Sequence, residues 1–185
     1  AVDRDLGYNG KLIFGITAGD VDSTFSINQE TGDIRVTGYL DREKRERYYL
    51  NITVFDLGKP QLSCSRMLSV VVLDVNDNAP VFDKSVVSFR IKEDTKSGTE
   101  IFRFKATDED LGENSHVWYQ IVTDTENFHI DSRSGMLTVR QSLDRESQSS
   151  YELKIKASDR ASDPNDPDAL HAVALARVLV DDVND

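Results

Sequence analysis

The chain has 185 residues, of which 38% are hydrophobic and 30% charged, with a formal net charge of -11. That length admits one or two domains with real cores, and the acidity excludes a nucleic-acid ligand held on a basic face. One cysteine, Cys64, rules out an internal disulfide framework, and the longest aliphatic run, Val70-Val71-Val72-Leu73, is too short to cross a bilayer.

In chain order, short segments alternate apolar and polar residues and are separated by Gly, Asp, Asn and Pro. The alternation predicts strands at residues 12–16, 34–36, 50–54 and 68–73. After an acidic stretch at 74–78 it resumes around Phe89 and Ile91, then at 101–104, 117–121, 136–139, 151–155 and 173–180. Within 50–54, Leu50, Ile52 and Val54 share one face, so Asn51 and Thr53 are expected to point outward. Asn51-Ile52-Thr53 also fits the N-glycosylation acceptor pattern, with Asn51 as the modified residue. This is an all-β pattern, a sandwich rather than a helical or mixed fold.

The same residues recur. Asp3-Arg4-Asp5-Leu6-Gly7-Tyr8-Asn9 returns as Asp108-Glu109-Asp110-Leu111-Gly112-Glu113-Asn114. Phe25-Ser26-Ile27 with Thr31-Gly32 returns as Phe128-His129-Ile130 with Ser134-Gly135. Leu40-Asp41-Arg42-Glu43 returns unchanged as Leu143-Asp144-Arg145-Glu146, Asp56 as Asp159, and Asp74-Val75-Asn76-Asp77 as Asp182-Val183-Asn184-Asp185. A common order and a shift of roughly 105 residues mark a tandem repeat. The shift widens after Asp159, placing an insertion in the turn-rich residues 162–168. The expected domains are 1–78, a repeat lacking its first strands, and 79–185, a complete repeat. Everything matching residues 80–105 is missing from the first copy, and the chain stops inside a second acidic stretch. The natural chain is therefore expected to extend in both directions.

Strand ends of a sandwich gather at two poles. Asp41, Glu43, Asp74 and Asp77 are expected at one pole of the first repeat, and Asp108, Asp110 and Asp159 at the facing pole of the second. Crowded carboxylates repel by ~1 kcal/mol per pair at 4 Å even in bulk water. A hard divalent cation relieves that repulsion: calcium takes carboxylates, amide oxygens and main-chain carbonyls in flexible geometry. Asn76 offers an amide oxygen, and Val75, Asn78 and Asn114 offer carbonyls. An EF-hand is excluded, because its fifth and twelfth loop positions here hold Gly112 and Tyr119, or Gly7 and Phe14.

Asp-x-Asp with a following Gly and Asn, Leu-Asp-Arg-Glu, the Asp56/Asp159 position and Asp74-Val75-Asn76-Asp77-Asn78-Ala79-Pro80-Val81-Phe82 together resemble the cadherin repeat family. The likeness is greatest to the large Fat or Dachsous type. The resemblance covers essentially the whole chain. It implies tandem seven-strand Greek-key β-sandwiches with up to three Ca2+ at the central linker. By the family pattern Asp41, Glu43 and Asp77 hold the outermost ion. Glu43, Asp74, the Val75 carbonyl, Asp77 and Asp110 hold the middle one. Asn76, the Asn78 carbonyl, Asp108, Asp110, the Asn114 carbonyl and Asp159 hold the third. Half-sites of neighbouring linkers are implied at Asp3, Asp5, Asn9 and Asp56, and at Glu93, Asp144, Glu146, Asp182, Val183, Asn184 and Asp185. The family's bridging glutamate is matched by Glu93 in the second repeat only, so the outer two central sites are expected to be weakened.

The implied function is calcium-dependent cell adhesion, in which Ca2+ stiffens internal ectodomain repeats for homophilic or heterophilic recognition. The partner is another cadherin ectodomain, and the parent chain is membrane-anchored at the cell surface. Spacer repeats that touch no partner are the alternative. An enzyme is not expected: His116, His129 and His171 show no metal spacing and no nucleophile–base pair is visible. An immunoglobulin-type sandwich would want a cysteine pair. Trp118, the one tryptophan, is expected to pack on its own repeat.

Overall fold

The computed structural model describes residues 10–159 and 169–183. The described residues up to Asp74 form one compact unit and those from Val75 onward a second. All regular structure among them is strand apart from a single 3₁₀ residue, Gly10, so the all-β expectation holds.

The first unit contains β1 (Leu12–Ala18), β2 (Phe25–Ile27), β3 (Ile34–Val36), β4 (Arg47–Asp56) and β5 (Ser63–Val71). β1, β4 and β5 form an antiparallel sheet with β4 in the centre, and β2 pairs with β3. Tyr48 and Leu50 point from β4 into a small core with Phe25, whose ring meets Tyr48 edge-on at 5.0 Å. Thr53 lies on the other face but is not exposed. It is 5% accessible, and its hydroxyl joins those of Thr17 and Ser65, each at 2.8 Å, across the three strands. The outward expectation for Thr53 fails because a central strand has neighbours on both sides, and polar side chains there cover one another.

The second unit contains β6 (Val81–Phe82), β7 (Val86–Lys92), β8 (Glu100–Arg103), β9 (Ala106–Thr107), β10 (Trp118–Ile121), β11 (Phe128–Ile130), β12 (Met136–Val139), β13 (Ser150–Ser158) and β14 (His171–Asp181). One sheet runs β10-β13-β14-β7, with β7 parallel to β14; the other runs β11-β12-β8, and β6 pairs with β9. Since β6 continues into β7 and β8 into β9, each pair is one strand that changes sheets, and the unit is a seven-strand Greek-key sandwich. Its core is far larger than that of the first unit: Phe104, Phe128, Leu137, Leu153, Ile155 and Val178 are all 2% accessible or less. Among the described residues of the first unit nothing corresponds to β6–β9, and only Phe25, Tyr48 and Leu50 are buried hydrophobic residues.

The repeat seen in the sequence has a structural cause at the β2–β3 and β11–β12 turns. Asn28 Oδ1 accepts the N–H groups of Glu30 and Thr31, and Asp131 Oδ1 accepts those of Arg133 and Ser134. Gly32 and Gly135 then turn the chain at φ 78° and 66°, a region in which a side chain is strained.

Candidate metal centre

In the first unit, Asp41, Glu43 and Asp74 lie at one end of the β4–β5 sheet. The chain turns there: Asp41 Oδ1 accepts the Lys44 N–H at 2.9 Å and the Asp41 carbonyl accepts the Arg45 N–H. The Lys44 ammonium, 2.7 Å from Asp41 Oδ2, is the main reason the Asp41 carboxyl lies below its ordinary range. Arg42 reaches into the same group. Its guanidinium pairs with Glu43 and, at 2.6 Å, with Asp74. That the arginine of Leu-Asp-Arg-Glu turns toward these acids was not expected; its side chain is only 10% accessible.

In the second unit the segment leaving Asp74 carries Asn76, Asp77 and Asn78. Pro80, which is fully buried, anchors its far end. Asp110 and Asp159 are 3% and 1% accessible. Asn78 donates to Asp110 Oδ1 through its side-chain amide at 2.7 Å, and to Asp110 Oδ2 through its backbone N–H at 3.4 Å. The same Asn78 amide donates to Asp77 Oδ1 at 2.9 Å. Asn76 Nδ2 donates to Asp159 Oδ2 at 2.8 Å. Asp108 belongs to this group through its Oδ1, which accepts the Asp110 N–H at 2.9 Å, and Asn114 closes the following turn on the Leu111 carbonyl. Asp159 is held from behind by the Leu170 N–H at 3.1 and 3.2 Å. Its repeat mate Asp56 is held the same way, by the N–H groups of Gly58 and Leu62. The structure thus gathers Asn76, Asp77, Asn78, Asp108, Asp110 and Asp159 within one unit, and Asp41, Glu43 and Asp74 within the other.

This donor set fits a hard cation. Buried carboxylates need compensation, and among the described residues neither Asp110 nor Asp159 is in an ion pair with lysine or arginine. Their compensation is neutral: the side-chain amides of Asn76 and Asn78 and the backbone N–H groups of Asn78 and Leu170. A half-turn of the Asn76 amide exchanges its Nδ2 for Oδ1, converting a donor into an oxygen ligand of the kind calcium takes.

The far end of the second unit repeats the scheme. Glu93 Oε1 accepts the Val183 N–H at 2.9 Å and Oε2 the Arg145 N–H at 3.1 Å; these two bonds, Val183 first, hold its carboxyl below the usual range. Asp144 accepts the Ser147 hydroxyl at 2.6 Å, its chief stabiliser as an anion, and the N–H groups of Ser147 and Glu146. Arg145 lies 3.5 Å from Asp182. Glu93, Asp144, Asp182 and Val183 are therefore neighbours, and Glu146 is exposed beside them. Asp3, Asp5, Asn9, Asn184, Asp185 and the insertion at 162–168 lie outside the described residues. Asn51 sits on β4, where its Nδ2 donates to Thr17 Oγ1 at 3.1 Å. Trp118 is half-buried, with the Arg133 guanidinium 5.0 Å from its ring centre.

The family model for the cadherin domain matches residues 1–73 and 87–180, and the chain belongs to the cadherin family. It is 47% identical over its whole length to the Drosophila melanogaster Fat-like cadherin-related tumor suppressor homolog and 45% identical to human Protocadherin Fat 1. It spans 4% of the length of each of these curated relatives. Among solved structures, mouse cadherin-23 EC22-24 aligns with the whole chain and 58% of its own length, with TM-score 0.91 and 28% identity. The protocadherin gammaB4 extracellular domain aligns with the whole chain and 30% of its own length, with TM-score 0.87 and 34% identity. Cadherin repeats are non-enzymatic modules of adhesion proteins, and calcium binding is characteristic of them.

Proposed function

We propose that this chain is a pair of internal repeats from a cell-surface cadherin ectodomain, and that calcium held between the repeats makes their joint rigid for adhesion. The ligands are Asp41, Glu43 and Asp74 from the first unit. From the second come the Val75, Asn78 and Asn114 carbonyls with Asn76, Asp77, Asp108, Asp110 and Asp159. Up to three Ca2+ are taken. The ions supply positive charge that lets buried carboxylates approach one another, and the residues orient the oxygens that receive it. The observation that supports this reading most strongly is the burial of Asp110 and Asp159 against the side-chain amides of Asn76 and Asn78. Glu93, Asp144, Glu146, Asp182, Val183, Asn184 and Asp185 are the equivalent half-site toward a following repeat, and Asp3, Asp5, Asn9 and Asp56 that toward a preceding one. The partner class is another cadherin ectodomain, of the same or a different kind. Asn51 is a glycosylation site only if its amide leaves Thr17.

Extracellular modules bind calcium at roughly 10⁻⁴–10⁻³ M. Ions that bind the folded chain alone stabilise it by mass action, by about 1.4 kcal/mol per site at tenfold excess over the dissociation constant. For a repeat of about 100 residues that is a rise of about 6–11 °C in melting temperature. Thermal melts in calcium and in chelator test the reading. Calcium raises the transition of the natural chain, magnesium at the same concentration does so less, and Asp110→Ala removes most of the rise. An Asp110→Ala chain that keeps the full calcium response contradicts the ligand assignment.

A further inference from the structure

The chain carries eleven more acidic than basic charges, yet one cleft of the second unit has the opposite sign. It is lined by Lys84, Arg103, Lys105 and Arg133, with Asp83 as its one acid and Phe102, Phe104, Tyr119 and Ser134 completing the lining. Its volume is about 480 Å³, within the range of small-ligand sites.

The four cations come from three segments separated in sequence, brought together at the point where β8 leaves one sheet and becomes β9 in the other. At that crossing the Asp83 N–H donates to the Lys105 carbonyl at 3.0 Å and the Phe104 N–H to the Gly135 carbonyl at 2.8 Å. The three segments bearing the cations are therefore stitched backbone to backbone, and Arg103, Lys105 and Arg133 flank the buried Phe104. Among the described residues Lys84, Arg103 and Arg133 make no ion pair, and Lys105 reaches Asp83 only at 4.0 Å. The Arg133 guanidinium carbon lies 5.0 Å from the Trp118 ring centre, within reach of a cation–π contact.

These features select the ligand. An extended peptide would need free backbone donors and acceptors for strand pairing, but at this crossing the Asp83 and Phe104 N–H groups and the Lys105 and Gly135 carbonyls already bond one another. What the cleft offers is cationic side chains among aromatic residues. Guanidinium and ammonium groups so arranged take tetrahedral anionic groups by charge-assisted hydrogen bonds. We infer that this cleft binds a sulfated glycan, its sulfates taken by Lys84, Arg103, Lys105 and Arg133. The inference rests on the extracellular placement proposed above, where sulfated polysaccharides are the abundant polyanions.

The test is titration of the whole chain, in calcium and at physiological salt, with a size-defined heparin hexasaccharide and with its chemically desulfated form. Binding is expected for the sulfated form alone, weakening as salt rises, as for any polyanion that releases counterions. The double substitution Lys84→Ser/Arg103→Ser weakens it by roughly tenfold or more. The control pair Arg35→Ser/Lys154→Ser, equally exposed but elsewhere, leaves it unchanged. All four side chains lie on the surface, so unchanged melting temperatures show that the variants fold. The inference is overturned by absence of hexasaccharide binding, by equal binding of the desulfated form, or by equal loss in both double variants. It is also overturned if Lys84→Ser/Arg103→Ser abolishes self-association of the chain without affecting the glycan, which assigns the cleft to an acidic protein face. The calcium-dependent melt is recorded on the same variants. An intact calcium response with no glycan binding then counts against the cleft alone and leaves the proposed calcium sites untouched.

Discussion

Asp131 shows how one carboxylate does structural work without a metal. It accepts the Ser134 N–H, which does most to keep its carboxyl ionised, then the Ser134 hydroxyl and the Arg133 N–H. Its folded value lies below that of the unfolded chain. Its contribution is therefore complete above the ordinary carboxylate range, about pH 4, and is lost as pH falls through the depressed value. Asp131→Asn is accordingly less stable than the natural chain at pH 7, and the gap closes in acid. Urea melts at pH 7 and pH 3 check this, and a gap that stays constant contradicts it. Asp110 and Asp159 differ in that they are buried, and each meets a side-chain amide, of Asn78 and Asn76, as well as a backbone N–H. Their positions were legible because acids recur at the same places in both repeats, Asp110 matching Asp5 and Asp159 matching Asp56. The part played by Arg42 was hidden, since nothing in a sequence says which way an arginine between two acids points.

At the level of elements, the long strands and some short ones were legible, β3 and β12 coinciding with the expected 34–36 and 136–139, whereas β2, β6, β9 and β11 were not. β4, β13 and β14 carry enough alternation to declare a period of two, and residues 50–54, 151–155 and 173–180 fall within them. The first unit's last strand starts earlier and ends earlier than its apolar residues imply, at Ser63–Val71 rather than 68–73, because partner strand β4 dictates its extent. β6 and β9 have two residues each, too few to show any period. They exist because their neighbours supply hydrogen bonds. The basic cleft depends on that same unannounced crossing, so its cations read in sequence as scattered surface charges. The crossing also has a steric requirement. Gly135 has φ 66°, and a Cβ there would lie 2.4 Å from the Phe104 carbonyl oxygen. Gly135→Ala is expected to destabilise the second unit by about 2 kcal/mol or more, from backbone strain and displacement of that carbonyl. Denaturant melts that show no change would mean the turn relaxes freely.

For the whole molecule, the repeat was visible because turns and acid positions recur for physical reasons, while the inequality of the two cores followed from which strands each unit holds. Two bodies joined through a segment of acids and amides have no reason to keep one relative orientation unless something bridges them, and bridging is the role proposed for calcium. Residual dipolar couplings of both units, recorded on the same sample in calcium and then in chelator, measure this most directly. One alignment tensor is expected to fit both units in calcium, and two separate tensors to be needed after chelation. A single shared tensor under both conditions, or separate tensors under both, would contradict it.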